Sequence, residues 1–301
     1  MKKLLFIGAS VADVVLRVPA LPTPGDDLTV DDQFVRLGGC ACNACRAAML
    51  AGTSECVLLS PVGTGIWGDW VRRELAEQGL STPIPPVSTP NGCCYCLVTP
   101  DGERSFLCHQ GAEYLYQPEW LDALPDDFDG VYVCGLEIER ATGHVLLDWL
   151  ERRRPRRLFF APGPRLCHIP PERMARVLAL HPVVHLSALE AAQFTRTDDI
   201  PEAAARIHSL TDSPVIVTLG AEGAYVLTDE GGVTVPSVPA KVVDTIGAGD
   251  AHIGTVIAAL AEGLSFPDAV RRANLAAAAV VGQSGATLTR EQYIQALEAS
   301  P

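Results

Sequence analysis

Two aspartates bracket a turn of small residues in the segment Asp244-Thr-Ile-Gly-Ala-Gly-Asp250, and an apolar helical pattern follows over Ala251–Ala261. Glycine lets the backbone approach a ligand closely or take a positive φ. A glycine-rich turn that opens a helix also points unpaired N–H groups outward at the positive end of the helix dipole, which suits an anion. A carboxylate beside a phosphate site is suited to take a proton from a hydroxyl that attacks the phosphate. The alternative is an ordinary capped helix with Asp250 in its first turn.

Three further segments place glycine and a polar side chain together. They are Gly8-Ala-Ser-Val-Ala-Asp13, Leu37-Gly-Gly-Cys-Ala-Cys-Asn43 and Thr218-Leu-Gly-Ala-Glu-Gly223. Each also has a plainer interpretation, because Asp13 and Asn43 could be capping residues and the third segment could be a simple β-turn.

A folded core must hold these segments together, and the order of apolar runs along the chain predicts its architecture. Short apolar runs alternate with helical patterns along most of the chain, which predicts a parallel sheet covered by helices on both faces. The predicted strands are Leu4–Gly8, Cys56–Pro61, Val131–Cys134, Leu158–Phe160, Val183–Leu186 and Val215–Leu219. The predicted helices include Asn43–Ala51, Trp67–Gln78, Ala251–Ala261, Pro267–Val281 and Thr289–Ala299.

Two stretches, Val14–Arg36 and Cys93–Leu107, break this rhythm and show alternating, strand-like patterns with turns. We expect them to form a small antiparallel sheet that acts as a lid beside a binding crevice. Ordinary surface hairpins are the alternative. With the lid included, residues 1–301 are expected to form a single α/β domain. An exposed lid with an apolar face often pairs with its twin, so a homodimer through the lid is a further expectation.

Composition excludes some partners. The 301 residues carry a formal net charge of -13, which repels nucleic acid and anionic membranes at long range. No apolar run is long enough to span a bilayer, and the apolar start is better explained as a first strand than as a signal peptide, so a cytoplasmic protein is expected. The basic run over residues 152–157 is expected at a helix C-terminus rather than as a nucleic-acid patch.

The ten cysteines include a Cys42-x-x-Cys45 pair and a second cluster at residues 93–96. A zinc site built from both clusters is one interpretation. Buried structural thiols are the favoured one, because the first cluster lies in an alanine-rich helical pattern and no histidine pair with ligand spacing lies nearby.

Taken together, the glycine segments resemble the PfkB family of ribokinase-like sugar kinases over nearly the whole chain. The pattern Gly-Gly-x-x-x-Asn is matched by Gly38, Gly39 and Asn43, and Asp-Thr-x-Gly-Ala-Gly-Asp is matched in full at 244–250. The residues within these two motifs are most similar to those of bacterial sugar kinases of unassigned substrate. The resemblance implies the ribokinase-like fold, with a mostly parallel sheet, helices on both faces and a small β-lid, and it implies transfer of a phosphoryl group from ATP to a primary hydroxyl.

The resemblance also implies a role for each matched residue. Asp250 would be the catalytic base, and the N–H groups of Gly247, Ala248 and Gly249 would stabilise charge on the transferring phosphoryl group. Asp13, Gly38, Gly39 and Asn43 would hold the sugar. Thr218, Gly220, Gly223 and Asn274 would line the nucleotide pocket. Glu190 would act on Mg²⁺ through water, and Asp244 with the loop around Gly285 would lie near the monovalent-cation (K⁺) site of many members.

The chain departs from the family pattern at two positions near the expected site. Ser187 stands where many members have an asparagine, which weakens the metal assignment because a hydroxyl reaches less far than an amide. His252 follows the base where many members have phenylalanine. Two residues apart on a helix, it faces away from Asp250, so we expect a packing role for it.

Other functions stay open at this stage. A nucleoside kinase would share the fold and the base, with Tyr95 and Phe106 of the lid as an aromatic shelf. A phosphosugar kinase is disfavoured, because only Arg36, Arg46 and Arg104 could face such a substrate. A sugar- or nucleotide-binding sensor without catalysis is the alternative from another class. The absence of a G-x-x-x-x-G-K-[ST] sequence excludes a Walker-type ATPase.

Overall fold

The computed structural model of the protein describes residues 1–298, which fold around one large and one small β-sheet. The large sheet has eight strands in the order β12-β11-β10-β9-β8-β7-β1-β4. They are β1 (Lys3–Ile7), β4 (Glu55–Leu59), β7 (Gly130–Cys134), β8 (Leu158–Ala161), β9 (Val183–Ser187), β10 (Val215–Thr218), β11 (Ala224–Thr228) and β12 (Gly231–Val235). The strands from β4 to β10 are paired in parallel, which confirms the expected parallel sheet.

The antiparallel edge formed by β11 and β12 was not predicted. These two strands extend the sheet beyond β10 by a hairpin that turns at Thr228–Gly231. The segment is only half-buried and its second strand begins with two glycines, so it lacks the continuous apolar run that marked the other strands.

Eleven α-helices lie within residues 1–298. They are α1 (Cys40–Ala51), α2 (Gly65–Glu77), α3 (Pro118–Asp122), α4 (Gly135–Glu139), α5 (Gly143–Arg153), α6 (Pro171–Leu178), α7 (Ala188–Thr195), α8 (Ile200–Thr211), α9 (Ala248–Ala261), α10 (Phe266–Val281) and α11 (Arg290–Glu298). The last residue of the predicted final helix, Ala299, lies outside the described part. The basic run begins in the last turn of α5, at its C-terminus as expected, and Arg154 directly after the helix is in the left-handed region at φ 44°. None of the helices within residues 1–298 has the length and apolarity needed to cross a membrane.

Alternation along the strands divides the interior into two apolar cores. In β1, Leu4 and Phe6 join one core while Leu5 and Ile7 join the other, because successive side chains of a strand point to opposite faces. Helices α1, α9 and α10 cover the first face, and α5, α6 and α8 cover the second. Cys42 and Cys45 lie fully buried in the first core, and no group of three His, Cys, Asp or Glu within residues 1–298 could hold a metal ion.

The small sheet contains β2 (Val11–Arg17), β3 (Asp32–Gly38), β5 (Cys93–Val98) and β6 (Arg104–His109), in the order β3-β2-β5-β6. The two expected lid segments therefore form one sheet. Each hairpin is antiparallel, as expected for the small sheet, and the two hairpins join through a parallel pairing of β2 with β5. The reason is that each hairpin contributes its first strand to the junction. Since β2 begins at Val11, Asp13 belongs to this sheet.

Candidate active site

Asp250 lies in the first turn of α9, which begins directly after Gly247. Gly247 has a φ of 77°, and a Cβ atom there would lie 2.4 Å from the Cβ of Ala286, so a side chain is excluded by both conformation and space. By contrast, a Cβ atom at Gly249 would have no heavy atom within 4 Å. The N-terminal turn of α9 therefore faces open space, and its N–H groups lack acceptors within the helix.

Asn43 lies on α1 and is brought to Asp250 by close packing of α1 against α9. A Cβ atom at Gly254 of α9 would lie 2.1 Å from the carbonyl oxygen of Ala44, so glycine is what allows the two helices to approach this closely. In this arrangement Asn43 Nδ2 donates a hydrogen bond of 3.0 Å to Asp250 Oδ2. The amide thereby holds one carboxylate oxygen of Asp250.

The double glycine lets the segment before α1 pass close to β1 and β2. A Cβ atom at Gly38 would lie 1.9 Å from Asp13 Oδ2, and one at Gly39, where φ is 105°, would lie 2.0 Å from the carbonyl oxygen of Ala9. Gly38 thus makes room for the Asp13 carboxyl group, and Gly39 makes room for the backbone of Ala9. The structure brings Asp13, Gly38, Gly39, Asn43 and Asp250 together, as the resemblance implied.

The two carboxyl groups of this cluster have perturbed acidity. Burial raises the pKa of Asp250 to about 6, while hydrogen bonds from Asn43 and Cys40 act in the opposite direction. Burial also raises the pKa of Asp13 to about 7, and the nearby charge of Asp250 adds to this rise. Groups with pKa values near neutrality, held in a crevice, are typical of proton-transfer sites.

Cys40 was not predicted to belong to the site. Its thiol lies between Asp250 and the thiol of Cys134, which in turn donates a 2.5 Å hydrogen bond to Glu137 Oε2. The buried Glu137 also accepts from the N–H group of Ala9. The position of Cys40 directly after the double glycine was the available signal, but cysteine in an alanine-rich helix suggested only packing.

Two cavities adjoin the cluster. A smaller one, of about 230 Å³, is lined by Asp250, Gly247 and Gly249 together with Ser187, Glu190 and Thr218. A larger one, of about 870 Å³, lies under the small sheet and is lined by Asp13 and the inner residues of that sheet. The crevice predicted beside the lid therefore has two parts, one at the helix N-terminus and one beneath the lid.

Glu190 lies in the smaller cavity, where it is held by a capping box at the start of α7. Ser187 Oγ accepts from the N–H group of Glu190, and Glu190 Oε2 accepts from the N–H group of Ser187 at 3.0 Å. Burial raises the pKa of Glu190, although the bonds from Ser187 oppose the rise. The serine that departs from the family pattern thus orients the glutamate. One carboxylate fits Mg²⁺ that arrives with phosphates, because such ions take few protein ligands and retain water.

The Thr218–Gly223 turn follows β10, and only part of it faces a cavity. Thr218 lines the smaller cavity and its Oγ1 donates to the carbonyl oxygen of Leu186 at 3.3 Å. Gly220, with φ at 61°, faces open space, whereas a Cβ atom at Gly223 would lie 2.1 Å from the carbonyl oxygen of Val235. Gly223 is therefore required for packing of the turn against β12.

Asn274 lines neither of these two cavities, and its placement disagrees with the nucleotide contact expected for it. The side chain is 4% exposed, its Nδ2 donates to the carbonyl oxygens of Val235 and Pro236, and its Oδ1 contacts His252 Nε2 at 3.2 Å. His252 also contacts His185 at 3.0 Å. Every polar group of Asn274 is thus engaged inside the protein, and His252 has the packing role expected of it.

Asp244 lies beside the Gly285 loop, as expected, but it is already paired with cations of the protein. Arg104 Nη2 donates to Asp244 Oδ1 at 2.9 Å, and Arg36 Nη1 is 4.0 Å from Oδ2. The N–H groups of Ile246 and Gly285 also donate to this carboxylate. Arginine side chains of the small sheet thus already compensate the charge of Asp244, which disfavours a further cation at this carboxylate. Their long sequence separation left no signal of the pairing.

Comparison with known proteins agrees with this geometry. A model described as "pfkB family carbohydrate kinase" matches residues 1–292. The uncharacterized sugar kinase YegV of Escherichia coli (strain K12) is 36% identical over 304 residues, covering 98% of this chain and 94% of that protein. Ribokinase from Thermotoga maritima has a TM-score of 0.86 at 23% identity, with 99% of each chain covered. Fructokinase with bound ATP from Xylella fastidiosa has a TM-score of 0.81 at 22% identity, with 98% of each covered. The chain therefore belongs to the pfkB family of carbohydrate kinases.

Proposed function

We propose that this kinase transfers the γ-phosphoryl group of ATP to a primary hydroxyl of a small sugar, with Asp250 as general base. One observation supports this most strongly. Asp250 stands in the first turn of α9, where the N-terminal backbone N–H groups lack acceptors within the helix, and Asn43 holds one of its oxygens. A base is most effective when its pKa lies near the working pH, and burial raises the pKa of Asp250 to about 6.

In this mechanism the sugar lies between the small sheet and the N-terminus of α9. Asp13 binds a sugar hydroxyl, and Asn43 and the backbone at Gly38 and Gly39 complete the pocket. The reacting hydroxyl transfers its proton to the carboxylate of Asp250 as its own oxygen attacks the phosphorus atom. The N–H groups of Gly247, Ala248 and Gly249 offset the negative charge that develops on the phosphoryl oxygens.

The nucleotide phosphates occupy the smaller cavity in this proposal, with Thr218 and Gly220 on the nucleoside side. Phosphoryl transfer depends mainly on alignment and charge neutralisation. Mg²⁺ supplies part of that neutralisation when bound with ATP, and Glu190 is the residue that would hold it, through water. Closure of the small sheet over the sugar would exclude water and limit wasteful hydrolysis of ATP.

A nucleoside kinase is the second candidate, and one observation favours it. Phe34 and Phe106 both line the larger cavity and could stack on a base. Tyr95, the other expected aromatic, does not line it, because the alternation of β5 turns Tyr95 to the opposite face from Cys94 and Cys96. Arginine side chains also line this cavity, and the guanidinium group of Arg36 already lies over the Phe34 ring, 4.5 Å from its centroid, where a base would stack.

A coupled ADP-release assay with panels of sugars and nucleosides tests these candidates. Turnover on sugars supports the main proposal, turnover on nucleosides supports the second, and binding without turnover indicates a sensor. The variant Asp250→Asn should lose about 10²- to 10⁴-fold in kcat, the range for a general base, while retaining ATP binding by calorimetry. The matched control is Asp229→Asn, whose side chain is 92% exposed. A kcat near that of the wild type in Asp250→Asn would refute the assignment of the base.

A further inference from the structure

The larger cavity is unusually rich in arginine for an acidic protein. Four guanidinium groups line it, from β2, β3, α1 and β6 respectively: Arg17, Arg36, Arg46 and Arg104. The whole chain has only 23 lysines and arginines against 36 acidic residues, so four arginines around one cavity are a local concentration of positive charge. Their partners decide whether this charge is available to a ligand.

Three of the four already have a carboxylate nearby. Arg104 is hydrogen-bonded to Asp244, and Arg36 lies at 4.0 Å from the same carboxylate and donates to Ser284 Oγ. Arg17 is 3.9 Å from Asp32 in an exposed pair, which contributes little. Their charge is partly compensated within the protein.

Arg46 differs from the other three. Burial lowers its pKa, and no carboxylate within residues 1–298 forms a salt bridge with it. A guanidinium group still stays protonated at neutral pH. Because Arg46 is half-buried and lines the cavity, an anionic ligand there would supply the charged partner that the described residues do not.

Carboxylates also line the cavity, but they do not neutralise Arg46. Asp244 is paired as described, Glu74 lies 3.8 Å from Arg73, and Asp31 is exposed. Burial raises the pKa of Asp13 to about 7, so this carboxyl group is partly protonated at neutral pH. The cavity thus combines one uncompensated cation with one carboxyl group that can donate as well as accept a hydrogen bond.

The position of Arg46 relates it to the reacting end of the substrate. It follows Asn43 by three residues on α1, a spacing that puts both side chains on the same side of a helix. Asn43 contacts Asp250 in the first turn of α9. A sugar with its reacting hydroxyl at Asp250 would therefore extend its far end toward Arg46.

From this arrangement we propose that the substrate is an anionic sugar, carrying a carboxylate or a phosphate ester that Arg46 binds at the end remote from the phosphorylated hydroxyl. The proposal rests on the proposed function and names the substrate class of the same site. It is opposite to the expectation from the sequence, which disfavoured a phosphosugar kinase because only three arginines could face such a substrate. The arrangement of these arginines in space was not known from the sequence. Arginine suits both anions because its planar fork donates two parallel hydrogen bonds.

The test compares neutral sugars with their anionic counterparts: aldoses against the corresponding aldonic and uronic acids, and against sugar monophosphates. ADP release is measured for the wild type, Arg46→Met, Arg46→Lys and the surface control Arg156→Met, whose side chain is 77% exposed. The wild type should prefer an anionic sugar. Arg46→Met should lower kcat/KM for that sugar by about 10- to 100-fold, mainly through KM, and so abolish the preference for it over neutral sugars. Arg46→Lys should retain part of the preference, and thermal melting checks that each variant folds.

The two acid panels separate the sources of the charge, since turnover on sugar acids identifies a carboxylate and turnover on monophosphates identifies a phosphate ester. Preference for a neutral sugar, or an equal loss on both panels in Arg46→Met, overturns the proposal while the kinase function stands. If no compound is phosphorylated, the proposed function fails separately. Calorimetric titration with the same compounds then tests this inference. If the wild type binds an anionic sugar and Arg46→Met does not, the inference is supported. If the wild type binds no anionic sugar, the inference is refuted.

Discussion

The substitution Gly254→Ala tests whether the contact between α1 and α9 positions the catalytic pair. The added Cβ atom would lie 2.1 Å from the carbonyl oxygen of Ala44 and 2.9 Å from the Cβ of Ala47, whereas real Cβ atoms almost never come within 3.0 Å of such atoms. The obstacle is backbone, which cannot rotate away, so the helices must separate by about 1 Å to relieve the overlap. Asn43, next to Ala44, would move with α1.

The expected effect on catalysis follows from that displacement. The Asn43–Asp250 hydrogen bond is 3.0 Å long, and an increase of about 1 Å breaks it. A misplacement of about 1 Å at a catalytic group costs on the order of 100-fold in rate. We therefore expect Gly254→Ala to lower kcat about 100-fold, and to destabilise the fold by about 1–3 kcal/mol through overpacking.

The assay is steady-state ADP release together with thermal melting. Gly282→Ala is the matched control, because its added Cβ atom would meet nothing closer than 3.5 Å and should leave both measurements unchanged. A double-mutant cycle with Asn43→Ala locates the effect, since two changes that act through one hydrogen bond should not add. If Gly254→Ala kept both the kcat and the melting temperature of the wild type, the reasoning that this helix contact positions the base would be refuted.

Four further predictions concern the site. Because the base must be deprotonated and burial raises the pKa of Asp250 to about 6, kcat/KM should fall as the pH drops through about 6, and a profile flat to about pH 5 would contradict this assignment. The same raised pKa stabilises the folded state below the unfolded pKa of 3.8 and loses that stabilisation as the pH rises through about 6, so Asp250→Asn should melt higher than the wild type at pH 8 and not at low pH. Asn274→Ala should cost about 1–3 kcal/mol in stability by leaving buried carbonyl groups unpaired, with KM for ATP unchanged, whereas a large KM effect on a stable variant would restore a nucleotide role. Exchange of K⁺ for a bulky organic cation should not change turnover, because Arg104 already pairs with Asp244, and strong activation by K⁺ would show that this pair opens.

Predictions from the sequence succeeded where a local pattern determines local structure. Continuous apolar runs identified the parallel strands, since strands buried on both faces need apolar residues at every position. The turn before Asp250 and the double glycine at residues 38 and 39 were found because positive φ and close backbone approach both require glycine. The expected single domain and the dimer through the lid stay predictions.

The errors arose where a residue's role depends on partners far away in the chain. Asn274 is an ordinary helical residue by its sequence, and only the packing of α10 against β12 directs its amide to the carbonyl group of Val235. The parallel junction of β2 and β5 depends in the same way on how two distant hairpins meet, which no local pattern records.

The sequence by itself determined the framework and the place of Asp250 at the start of a helix, because helix starts, glycine turns and buried strands depend on neighbours within a few residues. Only the tertiary structure decided the electrical environment of the site. It paired Asp244 with Arg104 across 140 residues of chain, and it left Arg46 in the cavity with no carboxylate partner among residues 1–298. Charge interactions depend on distance in space and on burial, and both are set by packing rather than by separation along the chain.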